Sequence, residues 1–204
     1  MIKKIILDDE SKTVAPLKKP KRKLKPGMGK SKGSGYEGQI AKKLSAALTP
    51  LTFIRSPGSG ARVGGKNFET FGKMFGEEAM KLFVADVVAT NEKEANVRFR
   101  FSIECKSYAK SDSFETMVAG NANVFKWMQE SVVDAAKTNR IPLLIFKWNH
   151  SPSYVAGLQP DMTLLAPHPN LELIQNGVCL SIYHLDDLLK MPEFWVETGY
   201  NINV

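Results

Sequence analysis

The chain has 204 residues, of which 43% are hydrophobic and 24% are charged, and its formal net charge is +7. This composition is typical of a folded, soluble protein with one core. Its apolar runs fall short of the roughly 20 residues that a membrane helix needs, so we expect no membrane-spanning helix and no membrane partner. The first residues do not have the pattern of a secretory signal, and Cys105 and Cys179 lie far apart in apolar segments. We therefore expect reduced cysteines in a cytoplasmic protein.

Residues 1–34 are predicted to form a flexible basic arm. The first 35 residues contain eleven Lys or Arg residues and three acids, a net charge of +8, so the rest of the chain carries about −1. The segment is rich in Pro, Gly and Ser, and burial of its few apolar residues cannot offset the entropy of ordering it. Such an arm suits a polyphosphate backbone, to which it adds salt-sensitive affinity. A solubilising or partner-binding tail has the same composition.

Periodicity and turn residues predict alternating helices and strands beyond the arm. In chain order they are a helix at 36–48, strands at 51–54, 83–89 and 97–107, a helix at 124–137, strands at 142–148 and 178–183, and a helix at 185–191. The strand at 97–107 alternates, so that Glu104 and Lys106 share the face opposite its apolar side chains. These elements indicate a mixed α/β layer domain.

Three charged residues lie in predicted strands that are otherwise apolar. Asp86 interrupts the apolar run of residues 82–88, and Glu104 and Lys106 occupy the alternating strand. Charges in such strands are costly to desolvate, so they need a partner or an exposed strand end. If the two strands are neighbours, Asp86 and Glu104 converge, and two close carboxylates repel unless a cation lies between them. Oxygen ligands without Cys or His partners indicate Mg²⁺, with Mn²⁺ as a substitute, rather than zinc.

Such a site suits the hydrolysis of phosphodiesters, because a metal polarises the phosphoryl oxygen and lowers the pKa of a bound water. Lys106 would orient the attacking water and stabilise the negative charge of the transition state. The Glu-x-Lys pattern alone is common, however. A surface Glu–Lys pair with a hydrogen-bonded Asp at a strand end explains the same residues without catalysis.

Several short motifs follow one another between residues 35 and 148. They are Gly35-Tyr36-Glu37, Arg55-Ser56-Pro57-Gly58-Ser59, Asp86, Ile103-Glu104-Cys105-Lys106 and Ile141-Pro142-Leu143-Leu144-Ile145-Phe146-Lys147. In this order they resemble the PD-(D/E)xK nuclease superfamily, with Ala85 in place of its usual proline. More specifically, they resemble the archaeal-type Holliday junction resolvases. No single motif is specific, and the resemblance depends on their order over just over half of the chain.

The resemblance implies a restriction-endonuclease-like core, in which helices flank a mixed central β-sheet, and a metal-dependent endodeoxyribonuclease. It implies Asp86 and Glu104 as metal ligands, with the carbonyl of Cys105 as a third, and Lys106 as the catalytic lysine. Glu37 would approach the metal from the first helix, directly or through water. A glutamate in a first helical turn is also favoured by the helix dipole, which needs no metal.

The resemblance also implies contacts with DNA. The residues concerned are Arg55, Ser56, Ser59, Arg62 and Lys66. The first three would contact the scissile phosphate or its neighbours, a role that suits the planar fork of an arginine. The last two belong to an inserted loop at 61–80, which makes the connection to Asp86 longer than is usual in the family. The chain then divides into the arm at 1–34, a nuclease core at 35–150 and a C-terminal extension at 151–204 packed on the core.

The predicted partners are branched DNA with four arms and a second copy of the chain. A four-way junction has approximate two-fold symmetry and needs two opposed incisions, so one catalytic cluster per chain calls for a symmetric homodimer. The apolar residues Phe125, Trp127, Phe146 and Trp148 are expected to supply its interface.

Other interpretations stay open. Residues 60–66 fit a Gly-x4-Gly-Lys phosphate loop, but Asn67 stands where that loop needs Ser or Thr. A sequence-specific restriction-type endonuclease, or a non-catalytic DNA-binding module, would have the same fold, because one fold hosts many functions.

Overall fold

The computed structural model describes residues 28–56, 73, 83–119 and 122–198. The helices are α1 (Met28–Ala47), α2 (Glu92–Ala95), α3 (Phe114–Val118), α4 (Asn123–Ala136), α5 (Gln159–Leu165), α6 (Leu185–Leu188) and α7 (Pro192–Trp195). The strands are β1 (Phe53–Arg55), β2 (Val87–Ala89), β3 (Val97–Phe99), β4 (Phe101–Tyr108), β5 (Ile141–Trp148), β6 (Tyr154–Leu158), β7 (Leu171–Gln175), β8 (Val178–His184) and β9 (Val196–Thr198). Among these helices, none is long and apolar enough to cross a membrane.

In this part of the chain, seven strands form one mixed sheet in the order β1-β2-β4-β5-β6-β8-β7. β4 and β5 are parallel, whereas the other neighbours are antiparallel. A parallel pair needs a crossover connection, which α4 provides by packing across β4 and β5. β3 and β9 pair with each other in a separate two-stranded sheet. The predicted mixed α/β architecture, with helices around a central sheet, is confirmed.

Different helices cover the two faces of the sheet. On one face, α1 packs in a core that contains Ile103 of β4. On the other face, α4 packs in a second core that contains Leu144 and Phe146 of β5. Glu104 and Lys106 are the register partners of these two β5 residues. Because partners in paired strands point to the same face, both charged side chains lie on the α4 face.

The residues near the end of the described chain complete the core on the α1 face. Phe194 and Trp195 are fully buried. The Trp195 ring centroid lies 6.2 Å from that of Phe99 and 5.7 Å from that of Phe101. Its indole N–H donates a 2.8 Å hydrogen bond to the carbonyl of Leu188. The strands β6, β7 and β8 extend the sheet beyond β5, so residues after 150 contribute to both the sheet and the core.

The residues predicted to form a dimer interface are buried within the chain instead. Phe125, Trp127 and Phe146 are each no more than 8% exposed. They pack between α4 and the sheet, and Trp148 packs against the same core. The prediction that these residues form an interface is therefore wrong, because the layer between α4 and β5 already accounts for their apolar character.

The bounds of some elements also differ from prediction. Helix α1 begins at Met28, so residues 28–34 are helical and the flexible arm was predicted too long. The strand predicted at 83–89 is limited to β2, with turns before it. The strand predicted at 97–107 is divided at Arg100, whose N–H donates to the carbonyl of Trp195. This contact directs β3 away from the main sheet and towards β9.

Candidate active site

Asp86 lies immediately before β2 and is 7% exposed. Its N–H donates to the carbonyl of Ile103 at 2.8 Å, and its own carbonyl accepts from the N–H of Ser56 at 2.9 Å. Its side chain continues the ladder: Oδ2 accepts from the N–H of Cys105 at 2.8 Å. The carboxylate thus takes the place of a strand carbonyl beside β4, which fixes it next to Glu104.

Glu104 and Lys106 form an ion pair on the α4 face of β4. Lys106 Nζ lies 2.7 Å from Glu104 Oε1 and 2.9 Å from Oε2 of Glu130, a residue of α4. The side chains of Glu104 and Lys106 are only 16% and 20% exposed. A lysine between two carboxylates in a largely desolvated position is well fixed, because each charge there depends on its partners.

The electrostatics of this pair are unusual. Burial, followed by repulsion from Asp86, raises the pKa of Glu104 to about 7, although Lys106 acts in the opposite direction. Burial disfavours the ammonium of Lys106, but Glu104 and Glu130 together raise its pKa above the ordinary value. The lysine is therefore charged at neutral pH, while a carboxylate beside it resists ionisation. A cation placed between Asp86 and Glu104 would lower the pKa of Glu104, because it offsets the repulsion between the two carboxylates.

The oxygen atoms at this edge of β4 suit a hard divalent cation. The N–H of Cys105 points to Asp86. Since the N–H and C=O of one strand residue lie on the same side, the Cys105 carbonyl faces the same edge. In the described ranges, no group of three or more His, Cys, Asp or Glu side chains is arranged to hold a metal. Two carboxylates and a carbonyl nevertheless fit Mg²⁺, which usually keeps several waters and takes further oxygens from phosphates.

Glu37 lies on α1, on the other side of the sheet from Glu130. Its Oε2 pairs with Nε of Arg55 at 2.5 Å, and the Arg55 side chain is 44% exposed. Glu37 still acts on the site electrostatically. Burial raises the pKa of the Cys105 thiol, and Asp86, Glu104 and Glu37 raise it further. The structure thus places Glu37 beside the DNA-binding candidate Arg55 and on α1, which packs on the face of the sheet opposite to Lys106.

The comparison with protein families decides the class of this site. Residues 28–173, well over half of the chain, match the family described as "Phage putative PDDEXK endonuclease". The chain belongs to this family. Membership confirms the predicted PD-(D/E)xK superfamily, the restriction-endonuclease-like fold and the general activity of a nuclease. No curated protein and no solved structure gave a significant match.

Only some of the DNA-binding residues predicted for this protein are among the described residues. Arg55 is exposed at the end of β1, whereas Ser56 is fully buried beneath the site. Ser59, Arg62 and Lys66 lie outside the described residues, as do the alternative phosphate loop and most of the predicted insert. Their roles stay predictions.

Glu130 is the residue of this cluster that the sequence did not predict. It lies on the polar side of an amphipathic helix, where an acid is ordinary and carries no signal. The one available indication was topological. The helix that connects two parallel strands must cross the face of the sheet between them, and that face carries Glu104 and Lys106.

We expect the metal-free protein to lose stability as the pH rises from 4.5 to about 7. An acid whose pKa is raised by folding stabilises the folded state fully below its ordinary pKa, and that stability is lost as the pH rises through the folded value. Glu104→Gln removes this group. It should raise the free energy of unfolding at pH 8 by on the order of 2 kcal/mol, with little gain at pH 4. Urea unfolding in EDTA measures both values.

The control for this prediction is Glu193→Gln, which changes an exposed glutamate at the start of α7. It should leave the pH dependence of stability unchanged. An identical pH dependence in wild type and Glu104→Gln would contradict the perturbed ionisation of Glu104.

Proposed function

We propose that the protein is an Mg²⁺-dependent DNA endonuclease that cuts four-way junctions. The observation that carries the metal-dependent chemistry is the hydrogen bond that holds Asp86 beside the Glu104–Lys106 pair. Family membership supports nuclease activity. The selectivity for junctions is supported by the ordered motifs that resemble Holliday junction resolvases.

Each residue of the site then has a defined task. A bound divalent cation would supply a Lewis acid that polarises the scissile phosphodiester and makes water a better nucleophile. Asp86, Glu104 and the Cys105 carbonyl would hold it. The Lys106 ammonium, fixed in position, orients the attacking water and stabilises the negative charge that develops on the phosphate. Mn²⁺ offers the same coordination and is expected to substitute.

Arg55 binds a phosphate next to the cut in this proposal. Its guanidinium is partly exposed and is held by Glu37. A planar guanidinium binds phosphate through two parallel hydrogen bonds, so DNA would replace Glu37 as a partner of Arg55. Glu37, once released, carries a carboxylate that can approach the metal, directly or through water.

The active species proposed is a two-fold homodimer. Two opposed incisions in a two-fold symmetric junction require two clusters related by the same symmetry. Light scattering should therefore give the mass of two chains. The decisive substrate set is a four-way junction, a flap and a linear duplex of matched sequence, each with Mg²⁺.

We expect wild-type dimers to make paired incisions in the junction. Heterodimers of one wild-type and one Glu104→Gln chain should nick it on a single strand, because only one cluster is complete. Heterodimers with Leu164→Ala, a change at an exposed position on α5, should still make paired incisions. A stable monomer that makes paired incisions would refute the dimer. Equal cutting of the linear duplex would refute junction selectivity, and cutting at one fixed sequence would favour a restriction-type enzyme.

We also expect the basic arm to bind DNA. Residues 1–27, which precede α1, contain nine Lys or Arg residues and three acids. Each phosphate that they neutralise contributes a slope of about 0.9 to the log–log dependence of affinity on salt. Deleting residues 1–27 should therefore weaken binding and flatten this dependence by several such increments, as measured by fluorescence anisotropy.

A second variant keeps the length of the arm and replaces its nine basic residues with Gln. Its DNA affinity and the salt dependence of that affinity should fall as they do in the deletion. If either variant retains the salt slope of the full chain, the arm does not bind DNA.

A further inference from the structure

Lys106 is held from two sides by carboxylates of different elements. Glu104 lies on the same strand, and Glu130 comes from α4 across the face of the sheet. An ammonium has three N–H donors, and these two partners use two of them. The Lys106 side chain is 20% exposed, so its third donor is the one that would reach a water or a phosphate oxygen.

The two partners of Lys106 are not equivalent. The proposed metal and Lys106 compete for the carboxylate oxygens of Glu104. A bound cation would therefore weaken the ion pair between Glu104 and Lys106. The Glu130 side chain is 46% exposed and lies on α4, a different element from those next to Asp86. It can therefore hold Lys106 with the metal present or absent.

The backbone that carries Glu130 belongs to a helix that is packed on the sheet. Met128 and Ser131 on either side of it are buried, and α4 is packed on the sheet through its Trp127 side. The next acid along the helix, Asp134, pairs with Lys137 at 2.6 Å. Glu130 is thus the acid of α4 that pairs with the catalytic lysine in the described structure.

We propose that Glu130 is a positioning residue that holds the Lys106 ammonium over the scissile phosphate while Glu104 binds the metal. The inference rests on the proposed function and adds a residue to it. Glu130 touches neither the metal nor the DNA in this scheme. Its negative charge lies next to the path of the DNA and opposes binding, so tight binding does not explain its presence.

This role predicts a separation of kcat from KM. Glu130→Ala should lower kcat about 10- to 100-fold, the range found when a partner that orients a site residue is removed. KM for DNA should stay the same or fall, since a repulsive charge is lost. Glu130→Gln keeps an oxygen acceptor for Lys106 and should restore kcat to within about fivefold of wild type. Gln129→Ala, one position earlier on the same helix and exposed, is the control and should change neither parameter.

A second measurement reads the position of Lys106 without any activity. In metal-free protein with ¹⁵N-labelled lysine, an ammonium held by two carboxylates exchanges its protons slowly and gives a side-chain NMR signal. We expect this signal in wild type and in Gln129→Ala. It should disappear in Lys106→Arg, which assigns it, and broaden beyond detection in Glu130→Ala.

The two measurements separate the failure of this inference from that of the proposed function. If wild-type protein cuts no DNA with any divalent metal, the proposed function fails, and the NMR signal still decides whether Glu130 holds Lys106. An unchanged Lys106 signal in Glu130→Ala, or no signal in wild type, would overturn the inference. So would a Glu130→Ala enzyme with normal kcat, or one whose defect lies in KM.

Discussion

Asp86→Asn and Glu104→Gln are each expected to lower the rate of DNA cleavage with Mg²⁺ by about a thousandfold or more, while DNA binding stays near the wild-type level. Each change removes one of the two carboxylates proposed to hold the metal, Asp86 at the edge of β4 and Glu104 on its α4 face. The Lewis acidity of a metal contributes several kcal/mol to such a reaction, and 1.36 kcal/mol corresponds to about a tenfold change in rate. Binding persists because basic residues elsewhere contact the phosphates.

Single-turnover cleavage of a four-way junction measures the rate, and anisotropy in EDTA measures binding. Glu193→Gln, the exposed control, should cut at the wild-type rate. Urea unfolding of Asp86→Asn and Glu104→Gln at the assay pH shows whether a loss of activity comes from unfolding. Near-wild-type turnover in either Asp86→Asn or Glu104→Gln would contradict the metal site.

Trp195→Ala is expected to destabilise the protein by about 3–5 kcal/mol. The indole is fully buried against Phe99, Phe101 and Phe194. Its removal leaves a large cavity and takes away one of two donors to the carbonyl of Leu188, which also accepts from the N–H of Met191. Trp195→Phe keeps part of the ring packing and loses the rest of the indole together with its N–H donor, so we expect a smaller cost of about 1–3 kcal/mol.

Urea unfolding at one pH measures these differences. Leu164→Ala, at a side chain that is 86% exposed, is the control and should change stability by less than about 0.5 kcal/mol. A Trp195→Ala protein within about 1 kcal/mol of wild type would mean that the residues after α6 do not belong to the core.

The alternating pattern of β4 was the most informative feature of the sequence. It placed Glu104 and Lys106 on one face of a strand, and the structure confirms this placement through their register with β5. The sequence also predicted that Asp86 lies near Glu104 if their two strands are neighbours. In the structure β2 and β4 pair as antiparallel strands. Local patterns were sufficient here, since side-chain direction in a strand has a period of two.

The predictions that failed concern long-range contacts. Apolar residues such as Phe125 and Trp127 were assigned to a dimer interface, yet they fill the layer between α4 and the sheet. An apolar helix face has the same sequence pattern in both situations. Likewise, the division at Arg100 depends on Trp195, which is 95 residues further along the chain, and no local pattern carries that information.

Glu130 illustrates the same limit within the site. It is 26 residues from Glu104 in sequence, yet their carboxylates share one ammonium. The contact arises from the crossover between β4 and β5, which turns an ordinary helix residue towards the strand. The motif residues follow from strand periodicity and resemblance, whereas the residue that supports them follows from the three-dimensional packing alone.

Covalently closed circular DNA that extrudes a cruciform provides the most direct test of a metal-dependent endonuclease centred on Asp86 and Glu104. Such DNA has no ends, so only an endonuclease can open it. We expect wild-type protein with Mg²⁺ to convert it to linear product cut across the cruciform, and Asp86→Asn, or wild type in EDTA, to leave it closed. Cleavage that continues in EDTA, or intact circles with every divalent cation tested, would contradict the proposed site.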